Sequence, residues 1–216
     1  LLLQTRGGLL SVTDRDAPFI ASPERLSAAA IRECGRRGYS GVLLDFEQSP
    51  TPDRLVFAET LARRLAPRPV YVPESYAAAS GTVSLVCTAV SGGSFLQYLQ
   101  GAAAERAGAG KLALDVQRLR MDFTLPARSG EGRPLSASEF QALLDQESPS
   151  VFFSQDLCAR YFTYTRGGET HFVLFDDADT LQQKLQTGTR MGFSAAFLMY
   201  PEVRDLLPRL FPARRT

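Results

Sequence analysis

Short apolar runs that alternate with amphipathic segments of about 10–15 residues predict an α/β fold built from parallel βαβ units. Two observations carry that prediction. The strand segments are continuous apolar or β-branched runs, such as Val42-Leu43-Leu44, the pattern of strands covered on both faces. Each is followed by a helical pattern with recognisable start and stop residues. The chain has 216 residues and six such strands. A closed eight-stranded barrel takes about 250 residues, so the expectation is a TIM-type β/α barrel that lacks its first two βα units in this chain.

The elements follow in order. Residues 7–13 (GGLLSVT) read as the first strand. Ser22-Pro23-Glu24 opens a helix over 23–37, with Leu26, Ala29, Ala30 and Cys34 at helical spacing, and Gly38 closes it. The second strand is 41–47, the next helix 52–65 starts at Pro52, and 69–72 is a short third strand. Residues 83–89 (VSLVCTA) form a fourth strand, before Gly92-Gly93 and an Ala-rich helix over 95–107; 111–116 is the fifth. The alternation then breaks. Residues 122–176 predict a small α+β insertion, with a helix at 138–146 and a hairpin that pairs 159–165 with 171–175 across Arg166-Gly167-Gly168-Glu169. A helix over 178–191, a last strand over 193–200 and a closing helix over 202–210 complete a single domain spanning 1–216.

Composition narrows the function. The chain is 44% hydrophobic and 22% charged, with a formal net charge of +1, so it carries no electrostatic footprint for nucleic acid or an acidic membrane. Arg36-Arg37, Arg63-Arg64 and Arg214-Arg215 read as solvated helix ends or a basic tail. No apolar run reaches the roughly 20 residues of a membrane span. Three cysteines without CxxC spacing and one histidine argue against a disulfide framework and a zinc site, so neither metal nor cofactor is expected. The chain opens Leu-Leu-Leu with no basic n-region, so no secretory signal is visible and the compartment stays open.

The chemistry points to Asp45-Phe46-Glu47, where the second strand's apolar run ends. A strand's period of two sets Asp45 and Glu47 on one face and Phe46 on the other. Two carboxyls so close resist ionising together, so partial desolvation would leave one protonated near neutral pH. That is a general acid at the carboxyl end of a barrel strand, where barrel enzymes carry their catalytic groups. The plainer alternative is two solvated acids at a strand end. Asp14 and Asp16 after the first strand, Glu74 and Tyr76 after the third, and Asp115 at the end of the fifth share the expected rim. Of these, Asp14, Glu74, Tyr76 and Asp115 are candidates to meet substrate hydroxyls, against loop solvation, capping or structural hydrogen bonding. His171 reads as a surface or packing residue, and Asp176-Asp177 as a helix cap. Ser11 and Thr13 lack a GxSxG elbow or a paired His, and Gly92-Gly93 is not a P-loop.

Residues Ser40-Gly41-Val42-Leu43-Leu44-Asp45-Phe46-Glu47 resemble the D-G-φ-D-φ-D-x-E strand of the chitinase-like glycoside hydrolases of family 18, and the bacterial branch linked to spore cortex and peptidoglycan most of all. The final Asp and Glu match, while Ser40 and Leu43 replace the first two Asp residues. The segments 171–185 and 190–197 resemble the family's aromatic-acidic turn, helix and last strand, and Gly8 to Thr13 resembles an earlier strand. The α+β insertion also fits. The resemblance implies substrate-assisted hydrolysis of glycans containing N-acetylglucosamine, of chitin or peptidoglycan type, outside the two-carboxylate spacing rule. Glu47 would be the acid/base and Asp45 would orient the acetamido group. It implies no cofactor, and an extracellular, cell-envelope or spore location.

The chain departs from the family in two places. Ala89 and Val90 stand where members carry a Tyr-Asp pair, and the Trp that floors the sugar site is absent because the chain has no Trp. Phe197-Leu198-Met199-Tyr200 occupies that region, with Tyr200 as the candidate aromatic platform. Losing one transition-state donor costs on the order of 10²–10³ in rate, so an inactive glycan-binding module on the same fold stands beside the hydrolase. A barrel short of strands would also expose an edge, to be covered by residues 1–5 or by a second copy in a homo-oligomer.

Overall fold

The computed structural model describes residues 7–16, 22–106, 110–127 and 131–212. The expected covering strand at 1–5 and the Arg214-Arg215 cluster lie outside the described residues. Along the chain run β1 (Leu9–Thr13), α1 (Pro23–Arg37), β2 (Gly41–Asp45), α2 (Pro52–Leu65), β3 (Val70–Val72), β4 (Val83–Cys87), α3 (Phe95–Glu105) and β5 (Lys111–Val116). Then come β6 (Arg120–Thr124), β7 (Arg133–Pro134), α4 (Ala137–Glu147), β8 (Phe152–Ser154), β9 (Ala159–Arg166) and β10 (Glu169–Phe175). The chain continues through α5 (Ala178–Arg190), β11 (Ala196–Leu198), α6 (Tyr200–Val203) and α7 (Leu207–Leu210). All six expected strands form one sheet in the order β1-β2-β3-β4-β5-β11. The β1–β2, β2–β3, β3–β4 and β5–β11 pairs are parallel. A second sheet has the order β7-β6-β10-β9-β8.

The residues group into two compact units, Leu1–Val86 with Ala102–Ala113, and Cys87–Gly101 with Leu114–Thr216. In the first unit, β2 alternates as its composition demands. Val42, Leu44 and Phe46 are buried among Ala30 and Cys34 of α1 and Phe57 and Leu61 of α2. Leu43 is half-buried, and Asp45 is exposed on the opposite face. Gly41 is obligatory here, since a Cβ would sit 2.5 Å from the Pro69 carbonyl oxygen. The expected helix ends hold. Pro23 and Pro52 open α1 and α2, and Gly38 (φ +69°) closes α1 with Tyr39 N donating to Cys34 O at 3.0 Å.

In the second unit, β5 and β11 align Leu114 with Ala196 and Asp115 with Phe197. The insertion holds the expected helix and hairpin. It also holds β6, β7 and β8, which the sequence reading does not separate from the rest of the insertion. α4 packs Leu143 and Phe140 onto Phe162 and Phe175 of the sheet. The capping box of α4 joins Ser136 Oγ to Glu139 N and Glu139 Oε2 to Ser136 N. The closing helix expected over 202–210 is two short helices, α6 and α7. Pro208 has no N–H for the carbonyl of Arg204, so α6 ends at Val203 and a new helix starts at Leu207 with Pro208 in its first turn.

Candidate active site

β2 delivers Asp45 and Glu47 to the open face of the sheet, and both are exposed. Phe46 between them is buried against the rings of Phe57 and Tyr76, at centroid distances of 6.2 and 5.4 Å. The partial desolvation expected of the acid pair is absent. The Glu47 side chain is 52% exposed, and its Oε1 accepts from Arg15 Nη2 at 2.7 Å and from Nε at 3.2 Å. That bond and the Glu47 charge raise the Arg15 guanidinium above its ordinary pKa, with a smaller contribution from Asp45. The cause is local: the turn after β1 carries Arg15 to the carboxylate at the end of the neighbouring strand, in the β1–β2 register that sets Thr13 against Asp45.

Asp14 is not at the surface. It is 2% exposed, and its Oδ2 lies 3.1 Å from Nε of Arg54, which is also 2% exposed. Asp14 Oδ1 accepts from the backbone N–H of Glu47 at 2.8 Å, and its carbonyl accepts from Gln48 Nε2 at 2.9 Å. Arg54 Nη2 in turn donates to Gln48 Oε1 at 2.8 Å. Tyr76 is fully buried, and its hydroxyl donates to the Gln48 carbonyl at 2.8 Å. Burial pushes that phenol above its usual range. Asp14 and Tyr76, read from sequence as groups for substrate hydroxyls, are therefore spent beneath the site. They hold the backbone of Glu47 and Gln48 in place. Glu74 is exposed but lines a cavity of about 280 Å³ with Ser84, Val86 and Arg106. The strand register puts Ser84 in the row of Val42 and Val72, the face opposite Asp45, so Glu74 is not gathered with the acid pair.

The remaining candidates belong to the second unit. Asp115 is half-buried, with Gln117 Nε2 donating to its Oδ2 at 2.7 Å. Burial raises its carboxyl pKa despite that bond, and the charge of Glu202 adds to the rise. Tyr200 is 57% exposed and Met199 is 56% exposed beside it. Asp177 caps α5, accepting from Thr180 N at 2.9 Å. Asp176, expected to share that role, is instead paired at 2.9 Å with Lys184, and both side chains are fully buried. Lys184 also donates to the Thr88 carbonyl, and Asp176 accepts from Leu119 N and Thr180 Oγ1. In the insertion, Asp122 accepts from Tyr164 at 2.8 Å and faces His171 Nδ1 at 3.1 Å, with the two rings stacked at 4.5 Å. Burial first, and Asp122 second, push Tyr164 up to about 12.

Sequence reasoning misses Arg15, Gln48 and Arg54, which together with Asp14 and Tyr76 contact Glu47 or support it. Two signals were present: Arg15 follows the first strand among acids, and Arg54 falls in the first turn of α2, where a cation is out of place unless an acid meets it. Among the described residues no cluster of three or more His, Cys, Asp or Glu could hold a metal, and no helix is long and apolar enough to cross a membrane.

No family model matches the sequence, and no curated protein matches it. Solved structures do match in fold. The spore cortex-lytic enzyme SleL of Bacillus cereus superposes with a TM-score of 0.60 at 16% identity, over 94% of this chain and 59% of that one. A chitinase from Chromobacterium violaceum gives 0.59 at 17% identity, over 97% and 80%. A class V chitinase from Nicotiana tobaccum, solved in complex with NAG4, gives 0.53 at 11% identity, over 88% and 73%. The chain spans less than two thirds of SleL. It has the chitinase-like α/β fold that these chitinases and cortex-lytic enzymes share.

Proposed function

We propose that the protein is a glycoside hydrolase-type protein that takes glycans containing N-acetylglucosamine at the carboxyl end of β2. One observation carries this reading: Asp45 and Glu47 stand together on the open face of a chitinase-like parallel sheet, and the buried Asp14 carboxylate pins the backbone N–H of Glu47. In the reaction, Glu47 gives a proton to the glycosidic oxygen as the acetamido carbonyl oxygen of the same sugar attacks the anomeric carbon. The leaving alcohol departs and an oxazolinium ring forms. Asp45 accepts the acetamido N–H and balances the ring's positive charge. Water deprotonated by Glu47 then opens the ring with retention at the anomeric carbon. For the first step Glu47 must be protonated and released from Arg15, and a sugar seated over the pair would expel the water that now reaches both.

Turnover of a chromogenic N-acetylglucosaminide tests the reading. Wild type should release product, and Glu47→Gln should lower kcat by at least 10²-fold with the fold intact by circular dichroism. Equal rates would remove Glu47 as the acid. A second reading, a glycan-binding module without turnover, is favoured by the exposure of Glu47 and its Arg15 ion pair, and by Ala89 and Val90. Titration calorimetry with chitotetraose beside the turnover assay separates the two, since heat of binding without product identifies the module.

A further inference from the structure

A cavity of about 280 Å³ lies within the first unit, on the face of the sheet opposite Asp45. Ser84 and Val86 of β4, Leu112 of β5 and Arg106, just after α3, line it. Arg106 is 3% exposed and Ser84 1%. One nitrogen of the guanidinium is satisfied: Nη2 donates to Thr82 Oγ1 at 2.7 Å, to the Thr82 carbonyl at 2.8 Å and to the Ala79 carbonyl at 3.2 Å. A Cβ at residue 110 would lie 2.7 Å from that nitrogen, so Gly110 lets the chain close over it. Arg106 Nε, Arg106 Nη1 and Ser84 Oγ are also buried, and none of the three has a hydrogen-bond partner among the described residues. Two exposed acids, Glu74 and Glu105, line the same cavity. Neither charge reaches Arg106, whose pKa is lowered by burial with no carboxylate to offset it.

A buried cation and a buried hydroxyl with open hydrogen-bonding groups are costly, and both beside one cavity call for an occupant that accepts. A single buried positive charge matches a single negative one. Glu74 and Glu105 would repel a doubly charged anion such as phosphate more strongly than a carboxylate. Val86 and Leu112 give the cavity an apolar wall, and a dry cavity of about 150 Å³ already admits benzene. We propose that the cavity binds a small monocarboxylate with an apolar body of about one ring, at a site separate from Asp45 and Glu47, with the open N–H groups of Arg106 and the Ser84 hydroxyl as donors to the carboxylate.

Calorimetry on the full chain with benzoate, benzamide and inorganic phosphate tests it. Wild type should bind benzoate about tenfold tighter than benzamide, its neutral isostere, and give no binding heat with phosphate. Ser84→Ala should weaken benzoate several-fold with the circular dichroism spectrum unchanged. Arg106→Gln should bring the benzoate-to-benzamide ratio to about one. Saturating benzoate should raise the melting midpoint of wild type and leave that of Arg106→Gln where it is. Equal binding of benzoate and benzamide, no saturable heat at millimolar benzoate, or phosphate binding in preference to benzoate would each overturn the site. So would benzoate affinity that survives Ser84→Ala, or a ratio that survives Arg106→Gln. Should Arg106→Gln not fold, the wild-type ratio and Ser84→Ala decide alone.

Discussion

β2 runs out through Asp45-Phe46-Glu47 and β10 through Phe175-Asp176-Asp177, so each unit has a strand whose end meets two acids. The first pair stands on one exposed face, with a single half-exposed ion pair to Arg15. The second pair is consumed. Asp176 is sealed with Lys184, and Asp177 caps α5 while pairing with Arg160 at 3.0 Å. The difference follows from spacing and from what comes next in the chain. Acids two apart at a strand end share a face and can both stay open. Adjacent acids point to opposite sides, so one turns inward and must find a cation. The other meets the orphan N–H groups of the helix that follows at once. An acidic strand end is a candidate for chemistry only where neither demand applies.

Substitutions can break this contrast at either end. The largest effect is expected for Lys184→Ala, which leaves Asp176 buried without its cation and should cost about 3–5 kcal/mol in urea unfolding. Adding Asp176→Asn to that variant should recover part of the loss; no recovery would mean that the lysine serves packing alone. Asp14→Ala strands Arg54 beneath the open pair and frees the Glu47 N–H, so a loss of about 3 kcal/mol is expected. If chemical denaturation shows no change, the support assigned to Asp14 is wrong. Asp177→Ala removes one cap and should cost about 1 kcal/mol. The smallest effect belongs to the open end. Glu47→Gln should leave the melting midpoint at the wild-type value, because an exposed ion pair contributes little. A marked drop would make Glu47 a structural residue and close the gap between the two strand ends.

The six parallel strands, both helix starts at proline, and the period-two separation of Phe46 from its flanking acids were legible because each depends on neighbours along the chain. The strands β6, β7 and β8 were not: β6 and β8 lack the following helical pattern that marks the parallel βαβ strands, β7 spans only two residues, and β6 becomes a strand by pairing 120–124 with 171–175 of β10. The site divides in the same way. Asp45 and Glu47 stand out by spacing, whereas nothing local tells that Asp14 and Tyr76 face inward while Arg15 faces out.

Local covalent order thus determined which residues form strands and helices, and which side chains on a strand share a face. Tertiary structure alone decided which polar groups are spent on one another. Burial and pairing with partners 30 or more residues away, as for Asp14 and Glu47, depend on how strands lie beside each other, and that is a property of the packed chain.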